Sequence, residues 1–154
     1  MNASLLLFGA FAFLAAFNAG TMTTLQIQHY GIYPLVGRDQ FARYIRANNR
    51  AALVPTIMPA MLLLLTSALL VIVRPGFMNL GEVVAALALN VAQLASTFIW
   101  QRRLQGEMAE TGYDEAKTRL LLSTNWIRTT GCLAQALLAT FVLLHALARN
   151  PGAL

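Results

Sequence analysis

The chain is short of charge. Only 11% of its 154 residues are Asp, Glu, Lys or Arg, where an ordinary soluble domain carries about 25%. It is also short of the residues that do chemistry, with one cysteine, Cys132, and two histidines, His29 and His145. A lone cysteine excludes an intrachain disulfide and any CxxC exchange; inside an apolar run it reads as a small buried side chain. Of six acids, Asp39, Glu107, Glu110, Asp114 and Glu115 lie outside the apolar runs, and Glu82 alone lies within one. A carboxylate-bridged di-iron centre needs several inward acids and histidines, so one subunit lacks the ligands. His29 and His145 are expected at opposite membrane faces, which prevents them from sharing a haem or a metal ion in one subunit. There is no phosphate loop, GxSxG or HExxH, and no chain of intramembrane acids for proton pumping. No metal and no cofactor is expected.

What is abundant is apolar. The chain is 58% hydrophobic, and the excess is gathered in runs long enough to cross a bilayer. The expected fold is all-α, an integral membrane antiparallel four-helix bundle forming one domain over residues 1–154. Its helices are predicted at about 5–27, 51–73, 81–108 and 114–148, with a short interfacial amphipathic helix at about 38–49. The first run resembles a signal peptide, but Met1-Asn2-Ala3-Ser4 carries no cation and the run is too long, so its retention is expected. Within it Ala12, Ala16 and Gly20 repeat at the spacing that lets helices approach closely.

Phe41, Tyr44 and Ile45 share a face of the interfacial helix, with Arg43, Arg46 and Arg50 beside them, a pattern suited to the headgroup layer. Pro55 and Pro59 predict a kink early in the second run; a simple bend is favoured over one that opens a cavity. Arg74-Pro75-Gly76 stops that run, Thr111-Gly112 stops the third, and Asp114 caps the fourth with Glu115 in its first turn. The fourth helix, roughly 50 Å long at 1.5 Å per residue, should project into water before ending at Asn150-Pro151-Gly152.

Lysines and arginines orient the chain. Arg38, Arg43, Arg46 and Arg50 follow the first run; Arg102, Arg103, Lys117, Arg119 and Arg128 lie between the third and fourth. Arg74 and Arg149 lie on the other side, so both basic regions are expected in the cytoplasm and both termini outside. The positive charge orients the protein and is not a nucleic-acid patch.

Polar residues recur at helical spacing within the apolar runs. They are Asn18, Thr21 and Gln28 beside His29; Asn48, Asn49 and Thr56; Glu82, Asn90, Gln93, Thr97 and Gln101; and Asn125, Arg128, Cys132 and Gln135. A polar group facing lipid is costly, so these rows should meet inside the bundle. That implies a polar pocket near the cytoplasmic face, centred on Asn125-Trp126-Ile127-Arg128-Thr129-Thr130-Gly131. Hydrogen bonds that only tie helices together are the other use of such groups.

Two stretches resemble a known group: Gln28-His29-Tyr30-Gly31-Ile32-Tyr33-Pro34-Leu35 with Gly37, Phe41, Tyr44, Arg46 and Arg50, and Ser96-Thr97 to Leu104 with Asn125-Trp126-Ile127-Arg128-Thr129. Together they are similar to small bacterial four-helix membrane proteins laid out like the anthrone-oxygenase-like family. Such relatives often carry further histidines where this chain has Ile32, Ile45, Asn48 and Gln101. The resemblance and the pocket imply an oxygenase-like enzyme acting on a lipophilic aromatic or quinone-like molecule. Arg128 and Asn125 would hold an oxyanion, His29 would take the proton, and Trp126 would stack on the ring. Gln93, Asn90, Thr97, Gln28 and Asn49 would complete the binding surface.

The absent histidines and redox motifs suit a different role, that of a non-catalytic subunit or lipid-binding accessory component of a membrane complex. Expected partners are membrane lipid and a lipophilic small molecule, with a homo-oligomer or larger membrane complex also compatible and nucleic acid not. A transporter is the third reading, and no inverted repeat is visible.

Overall fold

The computed structural model describes residues 2–149, and among them there is no strand. Four helical segments are long and apolar enough to cross a membrane: Ala3–Leu35, Leu53–Ile72, Leu80–Thr111 and Glu115–Arg149. The Asn150-Pro151-Gly152 stop lies outside the described residues.

Segment one opens with α1 (Ala3–Thr24), which Asn2 caps by accepting from the Ser4 backbone N–H at 3.1 Å. It continues through a wide π turn, Leu25–His29, and a tight 3-10 stretch, Tyr30–Leu35. Pro34 lacks an N–H for the carbonyl one turn back, which favours the tighter winding there. A loop leads to α2 (Phe41–Ala51). Segment two is a second π turn, Leu53–Ile57, followed by α3 (Met58–Ile72). Segment three is α4 (Leu80–Ser96), a third π turn, Thr97–Gln101, and α5 (Arg102–Thr111). Gly112 ends it with φ 87°, a conformation that costs glycine little and other residues more. Asp114 then caps α6 (Glu115–Arg149), its carboxylate accepting from the Lys117 N–H at 3.0 Å.

The four segments pack in a closed cycle, α1 against α3 and α6, and α4 against α3 and α6. Toward Ala3 and Arg149 the centre is dry, built from Phe8, Phe11, Leu63, Leu70, Val83, Ala86 and Val142. At the other end Tyr30, Tyr33, Phe41, Ile45, Leu104, Met108 and Leu121 form a second cluster. The outer faces stay apolar: Phe13 is 68% exposed, Ile72 80% and Leu137 69%. Water has no favourable contact to make with such a surface, and lipid does.

Three expectations need correction. Ala16 and Gly20 are exposed, and a side-chain carbon placed at Gly20 would meet nothing. The packed face of α1 is instead Phe8, Phe11, Ala15, Asn18, Ala19 and Met22. Large rings that fill the centre displaced the small-residue seam. The apolar face of α2 does not face outward either. Phe41 and Ile45 are fully buried in the Leu104–Met108 cluster, because α5 extends far enough to cover them, and Arg46 donates to the Ala109 carbonyl. Finally, Glu82 closes a capping box with Asn79, accepting from the Asn79 N–H at 2.8 Å. It serves the helix terminus and takes no part in the internal polar row.

Candidate functional site: a polar cavity among the four segments

Between the two apolar clusters lies a cavity of about 700 Å³. All four segments contribute to it, and each of the three π turns does so: Leu25 and His29; Pro55, Thr56 and Ile57; Thr97, Phe98 and Gln101. A π turn inserts one residue and spreads the helix by bonding i to i+5. Here the N–H groups of Tyr30, Met58 and Arg102 reach back to the carbonyls of Leu25, Leu53 and Thr97. In segment two the cause is Pro55, which has no N–H to give the preceding turn. The Ala52 carbonyl accordingly accepts from both Thr56 and Ile57, each at 3.1 Å. The proline bend thus opens a cavity, where the sequence favours a simple kink.

Arg102 and Arg128 both line the cavity, and the buried charge is that of Arg128. It lies on the cavity wall, is only 9% exposed, and sits in the middle of a helix. The ion pairs among the described residues are Arg103–Glu107, Lys117–Glu107 and Arg119–Glu115. Arg128 therefore has no carboxylate partner. Two side-chain oxygens lie against it: Asn125 Oδ1, which accepts from Nη1 at 3.2 Å, and the Tyr30 hydroxyl. A guanidinium carries five donors, so some of its capacity is left for a ligand in the cavity.

Asn125 is fully buried behind that guanidinium and is not on the wall. It donates to Gln26 Oε1 at 2.7 Å, and Gln26 donates to the Leu122 carbonyl at 3.1 Å. Asn125 is therefore a positioning residue, fixing Arg128 to segment one. A second polar layer closes the floor. Asn90 donates to Ser67 Oγ at 2.7 Å, Gln93 to Gln135 Oε1 at 3.2 Å, and the Cys132 thiol to Gln93 Oε1 at 2.8 Å. Here α6 approaches α4 so closely that a Cβ at Gly131 would lie 2.9 Å from Gln93 Cγ.

Arg128, His29, Gln93, Asn90, Thr97 and Asn49 all reach the cavity. Besides Asn125, two expected members do not. Trp126 is 48% exposed on the outer side of α6, since residues 126 and 128 are about 200° apart on a helix; it has no ring to offer a ligand inside. Gln28 is exposed as well. The buried amide of that turn is Gln26, in step with Asn18, Met22 and Tyr30 at intervals of four residues. A regular helix drifts by about 40° at each such step, and the wide turn takes up the drift. That interval of four was the sequence signal for Gln26. The lining amide Gln105, which donates to the Tyr30 hydroxyl at 3.3 Å, lies beyond the expected polar row and had no such signal.

His29 joins the wall, with its ring 5.4 Å from those of both Tyr30 and Tyr33. Its Nε2 is enclosed and lacks a hydrogen-bond partner, as does the Tyr33 hydroxyl. Among the described residues, no three His, Cys, Asp or Glu side chains converge in a way that could hold a metal ion. Compared with protein families, curated proteins and solved structures, the chain matches none.

Proposed function

We propose that this is a multi-pass protein of a bacterial inner membrane. In this reading the four segments form an antiparallel bundle, α2 lies at the cytoplasmic interface, and both termini face the other side. The basic residues around α2 and α5 support that orientation. The cavity, in the cytoplasmic half, binds a lipophilic molecule bearing an anionic or electron-rich oxygen. One observation carries this reading: a guanidinium held at a cavity wall without a carboxylate. A buried cation with no counter-ion is expensive, and a ligand oxygen is the partner it lacks.

The reaction such a site supports best is oxygenation of an anthrone-like phenolic ketone, in keeping with the resemblance of the segment-one and α6 motifs. His29 takes the acidic carbon-bound proton through Nδ1, since Nε2 is enclosed. Arg128 holds the enolate oxygen, where a fixed cation lowers the barrier as charge develops. The enolate carbon bonds to dioxygen, the peroxide anion takes back the proton held by His29, and the hydroperoxide loses water to leave a quinone carbonyl. Asn125 keeps the guanidinium in place.

A second reading, a non-catalytic lipid-binding component, draws on the lack of any acid on the cavity wall and the restricted histidine. Purified protein incubated with an anthrone under oxygen separates the two. Turnover above the spontaneous rate, lost in Arg128→Ala, supports the enzyme. A bound molecule without turnover supports the carrier, and equal behaviour of the two proteins removes both.

A further inference from the structure

We infer that the cavity loads sideways from the bilayer, through a portal between the π turns of segments two and three. Its ligand is then a membrane-dissolved molecule whose ring enters while an apolar tail stays in the gap. This rests on the reading of the cavity as a ligand site.

Segments two and three touch along α3 and α4, but their π turns part. The turn Leu53–Ile57 leans on α1 and α2, the turn Thr97–Gln101 leans on α6, and neither touches the other. Three large apolar side chains both line the cavity and are exposed: Ile57 (46% exposed), Met61 (42%) and Phe98 (55%). Ala51, Pro55, Arg102 and Gly106 are exposed lining residues as well. Residues that belong to both surfaces mark a rim, and between the two π turns this rim is apolar. Below it the Ser67–Asn90 hydrogen bond closes the bundle. Above it stand Arg50 and Arg102, the latter with its guanidinium 5.7 Å from the Phe98 ring centroid. Cations at that height belong with the headgroups. The gap therefore opens a turn or two deeper, into hydrocarbon, where a lipophilic ring partitions before it binds.

The test uses the full chain in phosphatidylcholine vesicles carrying a decyl-substituted hydroxynaphthoquinone. The ionised oxygen of this probe suits Arg128, and its visible absorbance reports binding. A gate changes association and release by the same factor and leaves Kd in place, whereas a binding wall changes Kd. Ile57→Trp narrows the gap and should slow both rates several-fold; Phe98→Ala should speed both. Gly106→Trp, at the water-facing mouth, where an added Cβ meets nothing within 4 Å, should change neither.

Slowing by Gly106→Trp with no effect at Ile57 and Phe98 overturns the portal. So do rates that no variant moves. Arg128→Gln tests the site itself: unchanged probe affinity there removes the ligand reading while leaving the gating result to stand on its own. A wild-type protein that binds no probe removes both.

Discussion

Arg128 and Asn125 touch, yet removing them should move stability in opposite directions. Asn125→Leu deletes the bond to Gln26 Oε1 at 2.7 Å and the bond from Arg128 at 3.2 Å. An interhelical side-chain hydrogen bond in a membrane protein averages about 0.6 kcal/mol. A bond to a charged group contributes about 1.5–3 kcal/mol, and a stranded buried acceptor costs about 1–3 kcal/mol. The leucine recovers part of this by packing, so the net loss should be about 2–4 kcal/mol.

Arg128→Met removes the charge together with its bonds to Asn125 and the Tyr30 hydroxyl. An arginine at a helix centre costs about 2.5–3.5 kcal/mol on insertion scales; Arg128 lies nearer the proposed cytoplasmic end, so the relief is at most that, comparable to the lost bonds. Stability should be unchanged or raised by about 1–2 kcal/mol. The assay is reversible unfolding by SDS titration in mixed micelles, followed by circular dichroism, with the double variant closing a cycle. A loss above about 2 kcal/mol in Arg128→Met would make the guanidinium a structural tie. The argument that it waits for a ligand would then fail.

Three further outcomes follow from the same geometry. Gly131→Ala should displace Gln93, whose Cγ lies 2.9 Å from the new methyl group, at about 1 kcal/mol, and should weaken naphthoquinone binding measured by absorbance titration. Trp126→Ala and Gln28→Ala, both on exposed positions, should leave that affinity unchanged; a loss in either would mean that the outer face of the bundle takes part. Burial holds the Tyr44 hydroxyl above the ordinary tyrosine value of 10.0. The stability this contributes is present below pH 10 and lost as pH rises through the higher folded value. Hydrogen exchange of α2 should accelerate there in the wild type, and Tyr44→Phe should remove that step.

The apolar runs made the four spans legible, because lipid leaves the chain few other ways to satisfy its backbone. The polar rows were legible for a related reason: buried amides inside an apolar run stand out against it. What the sequence hid was the phase. Spacing rules assume a constant rise and twist, and three π turns break that assumption at the level where the site forms. Gln26 replaces Gln28 because the register slips within Leu25–His29. Pro55 marked segment two as irregular, since a missing N–H has a known consequence, although as a simple kink and not as a slip in register. No residue type announced it in Thr97–Gln101, where Thr97 Oγ1 simply bonds back to the Gln93 carbonyl at 2.8 Å. Trp126 differs for another reason: it lies two residues from Arg128 in the chain, and helical residues so spaced face different ways. The cavity is thus set by where the helices loosen, and its buried charge by Arg128, which has no carboxylate partner among the described residues.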